Sequence, residues 1–165
     1  MEATATRICI PAQTCCLAQI RSFCQKILES HLTDRQLHRK MILAIDEAVA
    51  NIIEHAYATG GDSARSTVEV SIEVRPDRIV ARILDRGRPF DPRGTDAPGR
   101  ENGERAGPAA GGVPPGEVWS VRQFPQRGFG LQLIRLIVDQ IDYQRTSDGE
   151  NVLVLTKRLK KGLEP

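Results

Sequence analysis

The sequence predicts an α+β fold: a two-layer sandwich with a mainly antiparallel, mixed sheet and helices on one face. Three observations carry this prediction. Residues 13–31 and 35–57 repeat apolar side chains every three and four positions, the period of amphipathic helices with one buried stripe. Segments 67–85 and 141–159 alternate apolar and polar residues around short turns, which reads as two β-hairpins. A third helical stretch after residue 130 separates the hairpins.

The elements follow in order. Residues 6–11 alternate over a short span and end at Pro11, a strand near the terminus whose edge can pair with a second protomer to form a homodimer. Leu17, Ile20, Phe23, Cys24, Ile27 and Leu28 mark the first helix, over residues 13–31. Thr33 or Asp34 caps the second, whose buried stripe is Met41, Ile45, Ala48, Val49, Ile52 and Ala56. Thr59-Gly60-Gly61-Asp62 stops it.

In the first hairpin, Val68, Val70, Ile72 and Val74 share one face, and Pro76-Asp77 makes the turn. On its return strand Ile79, Ala81, Ile83 and Asp85 share a face, so Asp85 points to the side that its apolar neighbours bury. In the second hairpin, Asp148-Gly149 joins strands 141–146 and 151–159. Residues 160–165 read as a frayed tail.

Composition bounds the rest. A chain of 165 residues suits one domain, expected over 1–165, with room for its own core. Its 40% hydrophobic and 27% charged residues are ordinary for a globular protein. A net charge of +2 does not point to nucleic acid or to a membrane surface. No apolar run approaches a membrane span and the start lacks a signal-peptide layout, so the chain is expected in the cytoplasm. Cys9, Cys15, Cys16 and Cys24 contain no Cys-x-x-Cys pair, and the histidines are scattered. Reduced thiols acting as small hydrophobes are expected, rather than a zinc site or a disulfide framework.

Three stretches carry chemistry. On the second helix Glu47 and Asn51 are four apart and stack on one face, with His55 a turn further. A carboxylate accepts protons, and a carboxamide oxygen is a hard ligand that suits Mg²⁺. Together they can align a hydroxyl or water and hold a metal on a nucleotide's phosphates. The same pattern also fits a solvated polar face. Asp85 needs a strong partner at its buried position. It is either a strand-exit residue turning with Gly87 or an acceptor for a ligand's amino group, such as the adenine amine. Finally, Arg127-Gly128-Phe129-Gly130-Leu131 runs straight into a helix. Glycines there let backbone amides approach an anion at a positive helix end. No Gly-Lys-Ser/Thr follows, so this is not a Walker loop.

Between these stretches, residues 92–127 hold 13 glycines and prolines in 36 residues, out of 14 glycines and 10 prolines in the chain. A segment of that length and composition reads as a functional lid or a disordered insert. Trp119 is expected to anchor it.

Glu47-x-x-x-Asn51, Asp85-x-Gly87 and Gly128-x-Gly130-Leu131, in that order, resemble the three boxes of the GHKL ATPase superfamily with its Bergerat ATP-binding fold. Within it, residues 45–57, 85–92 and 127–134 are most similar to bacterial anti-sigma-factor serine/threonine kinases. The resemblance implies ATP and Mg²⁺ as cofactors, Glu47 as the general base and Asn51 as the Mg²⁺ ligand. It implies Asp85 as acceptor for the adenine amine, Gly87 as room for the base, and Gly128, Gly130 and Leu131 as phosphate contacts. His55 and Arg127 fall where phosphate or lid contacts are expected.

Two departures stand out. The lid is long, and Asn151 stands where many relatives place a threonine near the adenine. The implied function is a protein serine kinase that phosphorylates a small anti-anti-sigma (STAS-type) protein and binds a sigma factor or similar effector. Its alternatives are an ATP-binding anti-sigma or scaffold module without transfer, and the detached catalytic domain of a split histidine kinase. No phosphoacceptor-histidine helix is seen ahead of the domain, as a complete sensor kinase would need.

Overall fold

A computed structural model describes residues 5–57, 66–89 and 130–159. Strand β1 (Thr6–Pro11) leads through a 3-10 turn (Thr14–Cys16) into helix α1 (Leu17–Glu29), and helix α2 (Arg35–Ala56) follows. Strands β2 (Thr67–Val74) and β3 (Arg78–Asp85) precede helix α3 (Gly130–Ile137), and strands β4 (Gln140–Arg145) and β5 (Asn151–Arg158) close the order. The largest boundary difference from expectation is at α1. It starts at Leu17 because the Cys16 amide donates to the Gln13 carbonyl at 2.9 Å, closing a tighter turn first.

The strands form one sheet in the order β1-β2-β3-β5-β4, and every neighbouring pair is antiparallel. The parallel pairing that a mixed sheet would contain does not occur among the described residues. Both hairpin turns lie where the sequence places them. Arg75 and Arg78 bracket Pro76-Asp77, with the Arg75 amide 2.8 Å from the Arg78 carbonyl. Gly149 has a φ of 81°, a left-handed backbone that favours glycine and brings Arg145 opposite Asn151.

One face of the sheet is buried. Val68, Val70, Ile72, Ile79, Ala81, Ile83 and Leu155 lie there, each no more than 1% exposed. They form one cluster with Ile20, Cys24 and Leu28 of α1, the stripe of α2, and Ile134 and Ile137 of α3. Helix α2 buries the whole predicted stripe. Of the two candidate caps, Asp34 serves: its Oδ1 accepts from the amides of Gln36 (2.8 Å) and Leu37 (3.1 Å). Asp34→Ala is expected to cost about 1 kcal/mol, measured by urea denaturation.

Cys16 and Cys24 are buried thiols in the core, while Cys9 and Cys15 are exposed. Burial, aided by the charge of Asp46, pushes the Cys24 thiol up to about 12. Cys24 is therefore an inert hydrophobe. No helix among the described residues is long and apolar enough to cross a membrane. The helix stop at residues 59–62, the lid at 92–127 with Trp119, the phosphate-cradle residues Arg127 and Gly128, and the tail at 160–165 lie outside the described residues.

Candidate functional site

The antiparallel register sets a row across one end of the covered face. Val68, Asp85, Asn151 and Arg145 are successive partners on β2, β3, β5 and β4. Two of the four are polar and almost fully enclosed: Asp85 is 5% exposed and Asn151 is 2%. Asp85 takes three hydrogen bonds, all on Oδ1, from the Gly87 amide (2.7 Å), Asn151 Nδ2 (2.9 Å) and the Tyr57 hydroxyl (3.5 Å). Among the described residues, none reaches Oδ2. Burial raises the Asp85 carboxyl above the usual carboxylate range, against the opposing pull of those donors and of Arg145.

The turn after Asp85 docks on the end of α2. The Ala56 carbonyl accepts from the Arg88 amide (3.2 Å), and the Tyr57 hydroxyl accepts from the Arg86 amide (3.1 Å). A Cβ on Gly87 would come within 2.5 Å of the Ala56 Cβ, 3.0 Å of the Ala56 carbonyl oxygen and 3.0 Å of the Tyr57 ring. The contact that demands glycine at 87 is thus with the helix end.

The other end of the site lies further up α2. A Cβ on Gly130, the first residue of α3, would be 2.7 Å from Glu47 Oε2 and 3.1 Å from Asn51 Nδ2. The positive end of α3 therefore stands directly on the Glu47–Asn51 pair. Burial, with the charges of Asp46 and Glu54 behind it, raises the Glu47 carboxyl above the ordinary glutamate range. Asp46 itself is tied to α1 by a two-oxygen ion pair with Arg21 (3.2 and 3.0 Å). Glu47 and Ala56 are nine residues apart on α2, about 14 Å at the helical rise. A nucleotide spans a comparable length from base to terminal phosphate.

The two glycines predict different failures. Gly87→Ala drives a methyl into backbone and Cβ, and is expected to cost about 1–3 kcal/mol. Gly130→Ala meets the far end of a flexible glutamate, and its stability is expected to change by less than about 1 kcal/mol while Glu47 is displaced. Thermal melts of the two variants separate these outcomes.

Of the expected site residues, Glu47, Asn51 and Gly130 come together at one end, with Leu131 following on α3, and Asp85 and Gly87 define the other. His55 is exposed in the last turn of α2. Asn151 makes four hydrogen bonds within the protein. Its Nδ2 donates to Asp85 Oδ1 (2.9 Å) and the Gly87 carbonyl (3.2 Å). Its Oδ1 accepts from the Tyr143 hydroxyl (2.9 Å) and Arg145 Nη1 (2.8 Å). A carboxamide has four such positions, and all are taken by protein. Sequence reasoning missed Tyr57, Tyr143 and Arg145. The β4–β5 register, legible from the Asp148-Gly149 turn, is the signal that could have paired Arg145 with Asn151.

Asn51 fits a metal ligand. Its Nδ2 is among the few buried side-chain atoms of the described residues without a hydrogen-bond partner. A half-turn of the carboxamide exchanges nitrogen for oxygen without changing its shape. Beside it the Gly130 backbone comes so close that a Cβ there would lie 3.1 Å from this nitrogen. A hard cation on the carboxamide oxygen answers the unpartnered atom.

Comparisons with known proteins agree with this fold. Residues 10–157 match the model of the histidine kinase-like ATPase domain. The chain is 30% identical over 119 residues to the serine-protein kinase RsbW of Halalkalibacterium halodurans, covering 72% of this chain and 61% of that protein. It is 29% identical over 105 residues to the serine-protein kinase RsbW of Bacillus pumilus, covering 64% and 56%. The match thus spans about three-fifths of these relatives' length. The crystal structure of the RsbU and RsbW domains of Rv1364c from Mycobacterium tuberculosis superposes with a TM-score of 0.55 at 18% identity, covering 94% of this chain and 32% of that one; it supports the fold alone. The chain belongs to the histidine kinase-like ATPase domain family.

Proposed function

We propose that this chain is an ATP-dependent serine/threonine protein kinase and anti-sigma-type regulator, which phosphorylates a small anti-anti-sigma (STAS-type) protein and binds a sigma factor or similar effector. The observation that carries the reading is the placement of the α3 N-terminus on Glu47 and Asn51, while the turn after Asp85 docks on the far end of α2, where Ala56 lies about 14 Å along the helix from Glu47. Similarity to two serine-protein kinases favours serine as acceptor over the histidine of a split sensor kinase.

In this reading Asp85 Oδ2 accepts a hydrogen bond from the adenine amine, and the first amides of α3 meet the phosphates. Asn51 holds Mg²⁺, which supplies charge neutralisation on those phosphates. Glu47, raised by its surroundings, takes the proton of the attacking hydroxyl. Transfer then rests on positioning and on charge, as phosphoryl transfer generally does.

The test is incubation with γ-labelled ATP, Mg²⁺ and a STAS-type protein, followed by acid treatment. Acid-stable label on a serine or threonine of the partner is the expected result. Acid-labile label marks a histidine kinase unit instead. Nucleotide binding with no label on any partner leaves an ATP-responsive binding module, and the kinase assignment falls.

A further inference from the structure

Asn151 is buried, polar and saturated. Its nitrogen faces a carboxylate and a carbonyl, and its oxygen faces a guanidinium and a hydroxyl. The guanidinium can only donate, so the carboxamide orientation is settled by its neighbours. Arg145 extends the arrangement: the same Nη1 that bonds Asn151 Oδ1 also reaches the Gly87 carbonyl at 3.2 Å. A residue on the edge strand β4 thereby ties β5 to the turn that follows β3.

The result is a clamp on Asp85. Two donors, the Gly87 amide and Asn151 Nδ2, close on Oδ1 within 2.9 Å. With one oxygen held twice, the carboxylate cannot rotate freely about its last bond, and Oδ2 is presented in one direction. A purely structural pair at these positions would be apolar. The registered neighbours Ile83 and Leu153 show that this part of the same face accepts such a pair, at no desolvation cost for polar groups.

We propose that Asn151 and Arg145 are positioning residues for base recognition: they hold Asp85 so that Oδ2 meets the exocyclic amine, and neither touches the nucleotide. This rests on the proposed nucleotide site. It assigns Asn151 a task behind the acceptor and gives the exposed edge strand a part in specificity.

The readout is the ratio of affinities for ATP and for purine riboside triphosphate, which lacks only the 6-amino group. A hydrogen bond to a charged acceptor makes the wild-type ratio at least about tenfold. In Asn151→Leu the ratio is expected to fall to within about twofold, with affinity for the deamino nucleotide nearly unchanged. Arg145→Leu alters an exposed residue, and its ratio is expected to fall part of the way.

Unchanged ratios in both folded variants overturn the clamp. Equal loss of affinity for both nucleotides, with the ratio preserved, overturns it too, because that is the mark of a direct contact or of general damage. A wild-type protein that binds both nucleotides equally overturns the Asp85 assignment itself and the clamp with it. If Asn151→Leu fails to fold, Arg145→Leu alone decides.

Discussion

Glu47→Gln is expected to abolish useful phosphoryl transfer while nucleotide affinity stays within about twofold of wild type. The glutamine keeps the shape and the contact with the α3 N-terminus but cannot take a proton. Loss of a positioned general base typically costs 10²–10⁴ in rate. The half-exposed position of Glu47 leaves the fold little affected. Transfer should also show an acid limb above the ordinary glutamate range, because burial and the neighbouring Asp46 and Glu54 raise this carboxyl. Single-turnover transfer measured against pH, beside calorimetric ATP binding, checks both. Equal transfer in wild type and variant would remove Glu47 from the chemistry.

Asp85→Asn is expected to weaken ATP binding by more than tenfold without harming the fold. The amide oxygen can keep the Gly87, Asn151 and Tyr57 donors that now meet Oδ1. Its NH₂ must then take the place of Oδ2, where it opposes the adenine amine donor to donor and leaves both groups unpaired, at about 1–3 kcal/mol or more. Stability moves the other way. The folded Asp85 carboxyl titrates above its unfolded value because of burial. The ionised group therefore opposes folding, and its contribution to stability falls as pH rises from the unfolded value through the raised folded one. Removing the charge lifts that penalty, so the melting temperature at pH 7 should equal or exceed that of wild type. Lower stability together with weaker binding would instead make Asp85 a structural residue.

Much of this was legible because it depends on local periodicity. The alternation that buries Ile79, Ala81 and Ile83 also buries Asp85, and the i, i+4 spacing of Glu47 and Asn51 does bring both under one residue, Gly130. The hairpin turns set their own registers. What escaped depends on packing between distant segments. The resemblance implies Gly87 as room for the base; its contact with Ala56 is revealed only by the docking of the β3 turn on α2. Asn151 reads as a substitute contact. Its saturation by Tyr143, Arg145, Asp85 and Gly87 requires three strands to be in register at once. The tight turn ahead of α1 was hidden because Cys15 and Cys16 suit a helix as well as a 3-10 turn.

The proposed nucleotide site lies along α2, with a base end at Asp85 of β3 and a metal-and-phosphate end at Asn51 and at Gly130 of α3. Calorimetric titration with ATP, with and without Mg²⁺, in wild type and Asn51→Ala, tests it most directly. The predicted result is binding that Mg²⁺ tightens in wild type and leaves unchanged in Asn51→Ala. No binding at millimolar ATP, or the same Mg²⁺ response in both proteins, would contradict it.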